Sequence, residues 1–140
     1  MKITVLAVGR IRPPYADDVQ HYRKLLARYC RLELIEVGEA EAVERRIPAG
    51  SGGRAPYVVL LDVGGEELSS ERFAEQLEQR RGSGRDLVFV VGGPYGMDLA
   101  EADQRLSLGP MTLPHQLARI VLLEQLYRGH KILAREPYHH

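Results

Sequence analysis

VVGGPYGMD, residues 90–98, is the stretch on which the reading of this chain turns. Gly92, Gly93 and Gly96 crowd a turn directly behind the apolar run Leu87–Val91. A short apolar run bounded by turn residues reads as a buried strand, and glycine gives the following backbone the freedom to come close to another group. In an open parallel sheet, ligands bind outside the carboxyl ends of the strands, where this turn would stand. Two phosphate-binding readings fail. A dinucleotide fingerprint needs G-x-G-x-x-G after the first strand, where the chain reads AVGRIRPP with one glycine. A P-loop ends in Lys followed by Ser or Thr, where this turn offers Met97 and Asp98. The turn therefore suits a neutral or cationic ligand held by backbone groups, or no ligand and only a tight strand-to-helix connection.

Working outward, Ile3–Val8 and Leu32–Val37 predict the first two strands, Tyr57–Leu61 a third and Asp86–Val91 a fourth. The third closes at Asp62 and a Gly64–Gly65 turn. From Tyr15 to Cys30, Val19, Tyr22, Leu25, Leu26 and Tyr29 recur on one helical face. A short helix is expected over Glu39–Ile47, and another from Ser69 or Ser70 to near Arg81. Asp98–Arg105 predicts one more short helix, Leu106–Leu108 a fifth strand, and Pro114 the first residue of a long C-terminal helix. PAGSGGRAP, residues 48–56, reads as a connector without regular structure. Strands alternating with helices mean an α/β fold, a mainly parallel sheet with helices on both faces. Two further loops, LLDVGGEEL (60–68) and SLGPMTLPHQ (107–116), also leave apolar strands. If adjacent to the glycine turn, they enclose a pocket of apolar walls and backbone hydrogen-bonding groups.

At 140 residues the chain predicts one domain. A formal net charge of zero argues against generic nucleic-acid binding. The charge is nevertheless uneven: Arg10, Arg12, Arg23, Lys24, Arg28 and Arg31 fall within one N-terminal segment, and Arg128, Lys131 and Arg135 near the end. A lone cysteine, Cys30, permits no internal disulfide framework and reads as a small hydrophobe on the first helix. A reducing cytoplasm fits, and the apolar run in MKITVLAVGR is too short for a signal peptide. Arg119 and Glu124 interrupt the most apolar later segment, so no membrane span is expected.

LLDxxG, then VVGGPYG, then LGPMTLPHQLARIVLLEQLYR and a terminal EPYH, in that order, resemble the RlmH family, the ribosomal RNA large subunit methyltransferase H group of the SPOUT superfamily. The opening MKITVLAVGR is similar too, so the likeness runs from end to end and is densest after Tyr57. The resemblance implies a C-terminal trefoil knot, bound S-adenosylmethionine and a homodimer. It also implies methylation of N3 of a pseudouridine in the helix-69 loop of large-subunit ribosomal RNA, on assembled ribosomes, with no metal. Position by position, it implies that Leu61, Gly92, Leu108, Gly109, Pro110, Met111, Thr112 and Leu113 contact the cofactor. Tyr138 and His139 fall on the substrate side, reaching toward the partner subunit's cofactor, with His139 the candidate base or an RNA contact. Arg119 and Tyr127 match positions on the knot helix with a structural or dimer role, and His115 is expected to fix its loop. One departure stands out: the family follows PYH with Arg or Lys, whereas this chain has His140, mostly neutral near pH 7. Arg135 is the cation that could replace it. His139 and His140 lack a third ligand in register and make no metal site. In a dimer, the basic 10–31 segment is expected to give a continuous positive surface for an RNA read by shape and a few unstacked bases. Two rivals remain at this stage: a SPOUT methyltransferase with another RNA target, and a ribosome-binding or regulatory protein on the same fold without methyl transfer.

Overall fold

The computed structural model describes residues 1–138. In chain order its elements are β1 (Lys2–Val8), α1 (Tyr15–Leu26), β2 (Arg31–Val37), α2 (Val43–Arg46), β3 (Tyr57–Glu67), α3 (Ser70–Ser83), β4 (Leu87–Val91), β5 (Gln104–Ser107) and α4 (His115–Leu133). The strands form one sheet in the order β2-β1-β4-β3-β5, and every neighbouring pair is parallel. The two central strands are the most continuously apolar, as a strand covered on both faces must be: all of β4 and Ile3–Val8 of β1 are buried.

One face of the sheet, including Val5, Val59 and Phe89, packs on Val19 and Leu26 of α1, Phe73 and Leu77 of α3, and Leu122, Leu123 and Leu126 of α4. The other face presents Leu6, Leu60, Val88 and Val90 to Val43 of the single-turn helix α2 and to Leu99 of the β4–β5 connection. The expected α/β layering is therefore present, with its long helices on one side. Ser69 caps α3 by accepting from the Arg72 N–H at 3.1 Å.

Four expectations need correction. No helix forms over 98–105; the chain runs irregularly to Asp103, and β5 begins at Gln104. The aspartates at either end compete with helical bonding: the Asp98 carboxylate accepts from the Leu99 N–H at 2.8 Å, and that of Asp103 from the Val58 N–H at 2.8 Å. Nor does β3 stop at Leu61. Leu61 and Glu66 both pair with Leu106, so residues 62–65 bulge out and the strand resumes to Glu67. Finally, residues 48–56 include a 3₁₀ turn, Ser51–Gly53, anchored where the Ser51 hydroxyl donates to Asp86 at 2.6 Å. The first helix is also shorter than its apolar spacing suggests, ending at Leu26 so that the chain can turn into β2.

Candidate functional site

Because all five strands run the same way, the loops after β1, β3, β4 and β5 emerge on one edge of the sheet. A cavity of about 570 Å³ opens there, within the usual size range for a small-ligand site. Leu61, Asp62 and Val63 form one wall, Gly92–Pro94 with Gly96 and Met97 a second, and Leu108, Gly109 and Met111–Pro114 a third. Val91, Leu106 and Ala118 complete an apolar lining. The three loops singled out in the sequence thus meet in one place. Leu61, Gly92, Leu108, Gly109, Met111, Thr112 and Leu113 all line the cavity, whereas Pro110 is exposed and is not part of its wall.

Local geometry explains the glycines. A Cβ on Gly92 would stand 3.2 Å from Met97 Cγ and 3.3 Å from the Gly96 carbonyl carbon, so any side chain there presses on the turn. A Cβ on Gly65 would come within 2.6 Å of the Arg105 carbonyl carbon. Glycine there lets the β3 bulge lie against β5, and the bulge carries Asp62 and Val63 onto the wall. The third loop starts from a small clamp: the Ser107 hydroxyl accepts from the Gly109 N–H at 3.1 Å and donates to the Gly109 carbonyl at 2.9 Å.

No lysine or arginine lines the cavity among the described residues. Its one carboxylate, Asp62, lies 3.3 Å from Arg105, which is also held by Asp98 at 2.6 Å. That contact holds the Asp98 carboxyl below the usual range, chiefly through its hydrogen bond with Arg105. His115 opens α4 on the cavity wall. Burial, with Arg119 and Arg12 nearby, pushes its imidazole below the ordinary histidine value, so the ring is neutral at pH 7. Apolar walls with one carboxylate and no lysine or arginine among the described residues suit a neutral or cationic ligand and disfavour a phosphate.

The model of the family described as "Predicted SPOUT methyltransferase" matches residues 1–139. A protein of Acetivibrio thermocellus named "Ribosomal RNA large subunit methyltransferase H" is 44% identical across 99% of both chains. Proteins of the same name from Anaeromyxobacter sp. (strain K) and Stenotrophomonas maltophilia (strain R551-3) are 43% and 42% identical, again over 99% of each chain. The chain belongs to the RlmH family of SPOUT methyltransferases.

Tyr138, Tyr127 and Arg119, also expected from this family, do not line the cavity. Tyr138 donates its hydroxyl to Glu124, and its ring lies under Arg128 at 4.1 Å and beside Tyr127 at 6.0 Å. Burial first, then Glu124, pushes the Tyr138 hydroxyl up from its ordinary value. His139 lies outside the described residues. Tyr127 stands among Tyr22, Tyr29 and Tyr138 in an aromatic group between α1, α4 and the tail. Arg119 is buried and structural, its guanidinium 2.7 Å from Glu36. Sequence reasoning gave His115 only a loop-fixing part and passed over Asp62, Met97 and Ala118. The LLDVGG stretch was the available signal for Asp62, and the helical turn after Pro114 for Ala118.

The basic segment runs from the cavity edge of the sheet to the opposite edge. Arg10 and Arg12 follow β1 on the cavity edge. Helix α1 then runs back along the sheet, with Arg23 lining a second cavity beside Ile11, Glu36 and Arg119, and Arg31 starts β2 at the opposite edge.

Proposed function

We propose that this protein is an S-adenosylmethionine-dependent methyltransferase acting on N3 of a pseudouridine in the helix-69 loop of large-subunit ribosomal RNA, on assembled ribosomes. It works as a homodimer in the cytoplasm, its single domain completed by a C-terminal trefoil knot. The observation that carries this reading is the convergence of Leu61, Gly92, Leu108, Gly109 and Met111–Leu113 on one cavity that no lysine or arginine lines among the described residues. The relatives' name supports ribosomal RNA as the substrate class. No helix among the described residues is long and apolar enough to cross a membrane.

The residues present fit the cofactor. Gly92 and Gly93 bring backbone groups against it, Leu61, Leu106, Leu108 and Leu113 give the apolar wall, and Asp62 favours a positive group over an anion. Bound there, the cofactor would supply the electrophilic methyl group from its sulfonium, so no metal or covalent protein intermediate is required. The chain's own work is to hold the base at contact distance, exclude water and take up the imide proton. Glu124 and Arg128 fix Tyr138 outside the cavity of its own chain, as a site shared with a partner subunit requires. His139 then accepts the proton from N3 or orients the RNA, and a neutral His115 stays on the wall as a polar, uncharged group.

The test is methyl transfer from labelled cofactor to assembled ribosomes, followed by nucleoside analysis of the RNA. N3-methylated pseudouridine from helix 69 is expected. Label in another nucleotide would instead assign a different RNA target, and ribosome binding without label would assign a non-catalytic role.

A further inference from the structure

The loop after β1 is exposed, yet its backbone is pinned at every step. The Gly9 N–H donates to the Val37 carbonyl at 2.8 Å, and the Gly9 carbonyl accepts from Arg119 at 3.0 Å. The Gln116 side chain grips both sides of the next stretch, donating to the Arg10 carbonyl at 3.0 Å and accepting from the Arg12 N–H at 2.9 Å. Between them the Ile11 N–H donates to Glu36 at 2.7 Å. The guanidiniums of Arg10 and Arg12 are treated differently. Both residues are exposed, and neither guanidinium has a hydrogen bond or ion pair among the described residues. Arg105 and Arg119, by contrast, are both paired. A rigid loop presenting two unpaired cations binds an anionic partner without having to be ordered at that moment.

The neighbouring turn adds an aromatic face. A Cβ on Gly93 would stand 3.2 Å from Val8 Cγ1, so the β4 turn lies against the end of β1, next to Gly9 and Arg10. Tyr95, at its tip, is 99% exposed. The other exposed large apolar side chains among the described residues are Val63 and Met111, both on the cavity wall. Three separate loops therefore place their exposed apolar groups around one mouth. Such a cluster marks a binding surface rather than scattered surface residues. Aromatic faces that stack bases and cations that take phosphates are the two ingredients of single-stranded nucleic-acid binding.

We propose that Tyr95, Arg10 and Arg12 form an RNA-binding rim beside the cofactor cavity. Tyr95 stacks on an unpaired base, and the two guanidiniums hold the flanking phosphates of a single-stranded segment. The inference rests on the methyltransferase reading for the identity of the natural RNA, but the rim's preference for a single strand stands on its own chemistry.

The test measures binding of a short single-stranded oligouridylate to the intact protein by fluorescence anisotropy over a salt series. Tyr95→Ala should weaken binding about five- to one-hundred-fold, while Tyr95→Phe holds wild-type affinity. The double variant Arg10→Gln, Arg12→Gln should reduce the slope of log affinity against log salt by about 1.4, as expected for two lost phosphate contacts on a single strand. All variants should keep wild-type affinity for S-adenosylhomocysteine, which reports an intact cavity. Wild-type affinity and slope in both Tyr95→Ala and the double variant would overturn the rim. So would a change in oligomeric state, with RNA binding untouched, on replacing Tyr95, since a second copy would then cover it. A wild-type protein that binds the oligonucleotide through these residues but methylates no ribosomal RNA supports the rim and defeats the proposed function.

Discussion

Arg119 on α4 places its guanidinium 2.7 Å from the Glu36 carboxylate of β2, and the same carboxylate oxygen accepts from the Ile11 N–H at 2.7 Å. The two partners are unequal. The arginine side chain is 5% exposed and the glutamate 38%. Replacing Glu36 by Ala leaves a buried guanidinium and a backbone donor without their acceptor, a loss of about 1–3 kcal/mol. Replacing Arg119 by Met removes the charge and refills the space, and also removes an Nε that is buried with no partner. Its cost is expected to be the smaller of the two. Urea denaturation of both variants checks the order; a larger loss for Arg119→Met would contradict it.

Gly65 and Gly64 make a paired test of the β3 bulge. A Cβ on Gly65 meets Arg105 backbone at 2.6 Å, whereas one on Gly64 meets only Asp62 Oδ1 at 3.6 Å, an ordinary contact. Gly65→Ala should cost about 1–3 kcal/mol, as overpacking does, and should weaken S-adenosylhomocysteine binding because Asp62 and Val63 shift with the bulge. Gly64→Ala should do neither to a comparable degree. Equal effects from the two substitutions would mean that the bulge does not set the wall.

The parts of this fold legible in the sequence are those decided locally. The apolar runs of β1 and β4, the glycine turn at 92–93 and the loop 107–116 behind its apolar strand carry their own signals. What escaped depends on partners distant in sequence. Asp98 and Asp103 resemble helix-end residues until Arg105 and the Val58 N–H claim their carboxylates. The resumption of β3 beyond Gly65 becomes visible only once Leu106 is found to pair twice. Strand order is of the same kind: nothing local tells β4 to insert between β1 and β3. At the site, the three loops were legible from their apolar strands and glycines and the likeness implied which of their residues contact the cofactor, but neither could show that Pro110 is off the wall or that His115 is on it.

Glu124 ties the chain's end to α4, holding Arg128 at 3.0 Å and accepting from the Tyr138 hydroxyl. Glu124→Ala should leave S-adenosylhomocysteine affinity unchanged and lower methyl transfer about ten-fold, the equivalent of losing one hydrogen bond to a charged group. Tyr138→Phe should show a smaller loss of the same kind. Loss of cofactor affinity in Glu124→Ala would place its effect in the chain's own cavity instead.

His130 is buried, with its Nδ1 2.7 Å from the Leu126 carbonyl. Burial, aided by Arg81 and the N-terminus, pushes its imidazole below the ordinary value despite that carbonyl, and His115 is shifted the same way. In the unfolded chain these rings take up protons as pH falls through about 6.5, while the folded chain resists. The unfolded state then binds more protons, so stability is complete above that pH, declines below it, and levels off beneath the folded-state values. Denaturation midpoints measured between about pH 7.5 and 5.5 should fall with acidification, and His130→Leu should flatten the trend. A midpoint that rises on acidification would contradict the assignment.

The central claim is that the three sheet-edge loops make a cofactor site, and calorimetric titration with S-adenosylhomocysteine tests it most directly. The wild-type protein should bind at sub-millimolar ligand. Gly92→Leu, whose side chain would press on Met97 and the Gly96 backbone at the cavity wall, should not bind although it remains folded. Absence of binding by folded wild-type protein, or equal binding by the Gly92 variant, would contradict the claim.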